Sequence, residues 1–119
     1  MSTTDNLDRA AVDRYRTPPI VEPDADCAQM MAAFSTVPPI VQYQGRSDRE
    51  GLVARNQSRA LRVAVAVTAY AYSHGIPESA ADALTDLLND ARHLADALGV
   101  DWETVSRPHH YDDEVAGND

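Results

Sequence analysis

With 119 residues, 44% hydrophobic but only 6% aromatic, the chain is sized for one small domain whose modest core must be filled by Ala, Val and Leu, a composition that favours packed helices. Its net charge of −9 and isoelectric point near 4.7 argue against direct nucleic-acid binding, because a globally acidic surface repels phosphates. The lone Cys27 excludes an internal disulfide, and Met1–Arg16 lacks the apolar stretch of a signal peptide. The longest apolar run, Val63–Tyr72, is interrupted by Thr68 and falls short of the roughly 20 residues needed to span a bilayer. The expectation is a cytoplasmic chain that does not engage a membrane.

All the basic residues are Arg, as GC-rich coding produces, and they are unevenly spread. Residues 46–76 carry five Arg against two acids, whereas residues 77–119 carry two Arg against eleven acids. A basic middle beside an acidic end invites self-complementary docking, within the chain or between copies.

In chain order, residues 4–16 suit a short helix capped by Thr4 or Asp5, with Leu7, Ala11 and Val12 as a thin apolar stripe. Pro18 and Pro19 stop it, and residues 17–23 read as extended. Asp24 or Asp26 then caps a short helix near 25–35, in which Met30, Met31 and Phe34 form a soft apolar side. Pro-Pro-Ile-Val occurs at 18–21 and again at 38–41. The two copies read as rigid linkers flanking that helix, or as polyproline docking arms.

A capping box at Ser47-Asp48-Arg49-Glu50 opens a long helix that runs to about Ser73, with Gly75 just past its end. Leu52, Asn56, Arg59 and Val63 lie on its neighbouring turns. Beyond Ala60 it is apolar nearly all round, the signature of a central, buried helix. The alternation of Val63, Val65 and Val67 with Ala also suits a strand, but the upstream helical context and the Ala content favour helix.

The next helix spans about 78–98. Pro77 sits in its first turn, or Ser79 caps it with Asp82; Gly99 ends it, with Val100 as the apolar residue beyond the cap. Leu84, Leu87, Ala91, Leu94 and Leu98, widened by Leu88 and Ala95, form a stripe expected to be buried. Asp101 caps a further short helix whose Trp102 and Val105 are expected to fold onto the core. The sequence therefore predicts an all-α protein, a small bundle built on an antiparallel pair (about 48–74 and 78–98). It divides into N-terminal arms and short helices (1–46), a helical core (47–107) and an acidic polar tail (108–119).

Two helix faces carry chemistry. Asp82, Asp86, Asp90 and His93, spaced by four, four and three, share the outward side of the 78–98 helix. Such a stripe is a solvated face, a surface for a cationic protein partner, or a weak metal site. Arg55, Arg59 and Arg62 align on the long helix, where guanidinium groups suit phosphate or carboxylate. Their expected partner is the acidic stripe of the 78–98 helix, within the chain or from a second copy; plain solvation and a nucleotide or phosphorylated ligand are the alternatives. His109-His110 precedes acidic residues without the spacing of a zinc site. Gly-rich phosphate loops, nucleophile elbows and His-Glu-x-x-His are absent from the sequence, and Cys27 reads as a small core residue. No catalytic residue, metal or cofactor is assigned.

The segment Leu84-Thr85-Asp86-Leu87-Leu88, continuing through His93-Leu94-Ala95-Asp96-Ala97-Leu98-Gly99-Val100-Asp101, resembles the second half of all-α MazG-type nucleoside triphosphate pyrophosphohydrolases. In that family a Glu-x-x-Asp helix leads into an apolar stretch, a Gly turn and another helix, and two acidic helix pairs hold magnesium. The resemblance matches Asp86 to the Asp of that pair. Position 83 is Ala where the family has Glu, and residues 48–62 are Arg-rich where it has Glu-Glu-x-x-Glu. It implies the helix-turn-helix layout without an intact metal-ligand set. With Trp102 and His110-Tyr111, the segment is also similar to small uncharacterised proteins of actinobacteria and their phages. The expected role is a non-enzymatic interaction protein, a phage or mobile-element regulator or inhibitor among them, that meets a basic partner and forms homo-oligomers. The alternative is a degenerate nucleotide binder using the Arg stripe with Asp86, Asp90 and magnesium.

Overall fold

The computed structural model describes residues 16–38, 49–73, 79–107 and 111–116. All of the expected helix at 4–16 except Arg16, the second Pro-Pro-Ile-Val copy beyond Pro38, Ser47 and Asp48 of the capping box, Gly75, Pro77 and His109-His110 lie outside the described residues. In chain order the elements are α1 (Cys27–Ala33) with a 3-10 turn (Phe34–Thr36), α2 (Arg49–Ser73), α3 (Ala80–Leu98), α4 (Trp102–Val105) and α5 (Tyr111–Ala116). Among the described residues there is no strand, only an isolated antiparallel bridge between Asp26 and Ser79. The fold is all-α, and the Val/Ala alternation at 63–67 is helical, carried by the uninterrupted helix before it.

The chain forms two compact units: Pro19–Thr36 with Leu61–Arg107, and Met1–Pro18 with Val37–Ala60 and Pro108–Asp119. In the former, two capped helix starts lie side by side. The Asp26 carboxylate accepts from the Gln29 amide at 2.8 Å, and the Gln29 side chain accepts in return from the Asp26 amide at 2.9 Å, a full capping box. Ser79 caps α3 by accepting from the Asp82 amide at 3.1 Å. The Ala80 amide, an orphan donor of the first turn of α3, donates to the Ala25 carbonyl at 2.8 Å. Between these starts and the second part of α2 sits a small core of Cys27, Val67, Ala71 and Ala83, with Met30, Ala80 and Leu87 packed against it. Ala71 shares this cluster with Ala83 near the start of α3, while Tyr70 reaches Asp90 two turns later. As α2 ends α3 begins, so the two run antiparallel.

Gly99 ends α3 at φ 71°, the left-handed conformation that terminates a helix without steric cost only at glycine. Its amide donates to Asp96 at 3.1 Å, and the Val100 amide donates to Ala95 at 3.0 Å. Asp101 caps α4 by accepting from the Thr104 amide at 3.0 Å.

Burial departs from the expected leucine stripe. Leu84, Leu88, Leu94 and Leu98 are 39, 51, 58 and 66% exposed, whereas Ala83 and Ala95 are buried and Leu87 and Ala91 half-buried. The covered line is the row Ala83, Leu87, Ala91 and Ala95, one residue every four. On a helix such a row is a ridge that packs into a neighbour's groove. Ala83 and Leu87 pack with Val67 and Ala71 of α2, and the other leucines stand to either side of the row: Leu84 and Leu88 on one flank, Leu94 and Leu98 on the other. The second part of α2 is likewise not buried all round, because Ala64, Val67 and Ala71 are covered while Val63, Val65 and Tyr72 are about half exposed. Trp102 is half-buried, but Val105 is mostly in water.

In the other unit, residues 49–60 of α2 meet α5. Leu52, Asn56, Ser58 and Val115 are buried there. One ion pair and two hydrogen bonds join Asn56, Arg59 and Glu114.

Candidate functional site: the outward face of α3

The amphipathic pattern that buries the alanine row turns the opposite side of α3 to solvent. Asp82, Asp86, Asp90 and His93 are all exposed. Asp82 lies in the first turn, where the helix dipole and the Ser79 cap favour a negative charge. Farther along, the Tyr70 hydroxyl donates to the Asp90 carboxylate and ties that aspartate to α2. Asp86 and His93 complete the stripe. Asp96 is exposed in the C-terminal half of the same helix. On the flank next to Asp90, Leu94 and, one turn on, Leu98 are more than half exposed, whereas Leu84 and Leu88 lie on the far side of the helix from Asp82 and Asp86.

The Arg residues divide between the units. Arg62 is exposed in the unit that holds α3, whereas Arg55 and Arg59 are half-buried in the unit that holds α5. Arg59 pairs with Glu114, outside the expected acidic stripe: its Nε lies 2.8 Å from Glu114 Oε2, with the two side chains 23 and 29% exposed. Arg59 Nη1 also donates to Asn56 Oδ1 at 2.7 Å, and Asn56 Nδ2 donates to the Glu114 main-chain carbonyl at 3.3 Å. Sequence reasoning missed Asn56, Tyr70 and Glu114. The available signal was Asn56, an amide on the same turns as Leu52, because an amide on an otherwise apolar line must find partners if it is covered.

Cys27 is a free, buried thiol in the core, as its sequence context suggested. Among the described residues, no three His, Cys, Asp or Glu side chains gather closely enough to hold a metal ion, and no helix is long and apolar enough to cross a membrane. No family model, curated protein or solved structure matches this chain.

Proposed function

We propose that the chain is a non-enzymatic protein-interaction module that receives a cationic partner on the outward face of α3. The observation that carries this reading is the row of exposed Asp82, Asp86 and His93 on one side of a helix whose adjoining flank carries the partly exposed Leu94 and Leu98. Leu94 and Leu98 are 58 and 66% exposed, a little over one whole side chain together, leaving on the order of 2 kcal/mol of hydrophobic free energy to be gained by covering them. The carboxylates set which partner arrives and how fast, and the leucines then hold it. A regulatory or inhibitory protein that covers a basic host surface has this arrangement, and homo-oligomerisation would use the same leucines.

The test uses an Arg-rich peptide as the cationic probe and isothermal titration of the full chain at low ionic strength. Replacing Asp82→Asn and Asp86→Asn together weakens binding about tenfold, the scale of 1.4 kcal/mol. Replacing Asp112→Asn and Asp113→Asn, an equal change of charge on α5, leaves it within about twofold. Affinity falls steeply as salt rises through the range where the Debye length shrinks to about 8 Å. Equal losses from both pairs would show that net charge, not the α3 face, attracts the probe.

The competing reading, a nucleotide binder, draws on Arg59, which already engages a carboxylate within the chain. Calorimetry with nucleoside triphosphates, with and without magnesium, separates the two: heat that depends on magnesium and is lost in Asp86→Asn would favour it.

A further inference from the structure

In the unit formed by residues 49–60 and α5, two side chains of α2 read a single residue twice. Arg59 takes the Glu114 carboxylate, and Asn56 takes the Glu114 main-chain carbonyl. Asn56 is itself fixed, because its amide oxygen accepts from Arg59. The next residue, Val115, is buried, as is Leu52 on α2. Three features of a ligand are thus specified at once: an acidic side chain, a main-chain carbonyl exposed by helical geometry, and an aliphatic side chain one position later. Ion pairing alone would ask for only the first.

The occupant is slight. α5 has six residues, far fewer than the 12–15 at which an isolated helix becomes even marginal in water. Among the described residues its anchors are one part-exposed ion pair, one long hydrogen bond and one buried valine. A segment held this lightly opens locally without the rest of the fold coming apart.

We infer that Asn56 and Arg59 form a docking groove for acidic helical peptides in which a glutamate precedes an aliphatic residue, and that α5 is its resident, displaceable occupant. A partner bearing the same pair of residues competes with α5 for the groove. This inference concerns a different surface from the α3 face and does not depend on it.

A fluorescein-labelled peptide with the sequence of residues 108–119 is the probe, titrated into the full chain and followed by anisotropy. Weakening the resident with Glu114→Ala and Val115→Ala together raises affinity for the probe at least tenfold over the unaltered chain. Adding Arg59→Ala to that variant removes the gain. A probe with Ala in place of its Glu and Val fails to bind. The inference is overturned if the opened variant binds no tighter than the unaltered chain, if binding is indifferent to Arg59, or if inorganic phosphate displaces the probe as well as an acidic peptide does. Hydrogen exchange on the unaltered chain gives a reading independent of any variant's folding. The amides of 111–116 are expected to exchange at least a hundredfold faster than those of 52–58. Equal protection of the two segments would mean that α5 leaves only on global unfolding, and would also overturn the inference.

Discussion

Thr68 shows how a single polar atom can work against the core around it. Its hydroxyl is buried without a hydrogen-bond partner, one position from Val67 in the small core. A buried donor left unmade costs more than an apolar group of the same shape. Thr68→Val is therefore expected to stabilise the chain by about 1 kcal/mol, read as a raised denaturation midpoint at unchanged slope. Asn56 is the counter-example: also buried in α2, it has both ends of its amide occupied, by Arg59 and by the Glu114 carbonyl. The residue type was visible in the sequence in both cases. Whether the polar atom was answered was not, because the answering group for Asn56 lies 58 positions away.

At the scale of elements, local signals were read correctly where their physics is local. The caps at Asp26, Ser79 and Asp101 and the left-handed Gly99 each depend on a few consecutive residues; Gly99 and Asp101 stand where the sequence placed them, while Asp26 and Ser79 are each one of two starts it offered, and the Gln29 half of the Asp26 box was not read. Burial along α3 depends on which ridge the neighbouring helix chooses. The leucine stripe and the alanine row Ala83, Leu87, Ala91 and Ala95 overlap on the helix surface, and hydrophobicity alone favours the leucines. Packing favours the row whose small side chains fit between the helices. This choice has an energetic signature. Ala83→Leu overfills a site that is 3% exposed and should cost about 1–3 kcal/mol, whereas Leu88→Gln, at a half-exposed leucine, should stay within about 0.5 kcal/mol. Urea unfolding of the two variants checks both. The reverse order would return burial to the leucine face and remove the apolar half of the proposed interaction surface.

For the whole molecule, the uneven charge noted in the sequence resolves into two different uses. In one unit an acid of the C-terminal segment is consumed by Arg59. In the other the α3 carboxylates face water, with Asp90 alone held by Tyr70 among the contacts described. Charge asymmetry along a sequence shows that pairing is possible; only the fold decides which acids are spent and which remain available. On α5 Glu114 is paired while Asp112 and Asp113 are exposed, so the proposal that the α3 face receives the partner needs a test that separates the two helices. Backbone amide shifts of the isotopically labelled full chain, followed while the Arg-rich peptide is titrated at low salt, test this assignment most directly. The largest changes are expected on residues 82–93, with α5 nearly unmoved. Changes concentrated on residues 111–116, or spread evenly over every acidic residue, would contradict it.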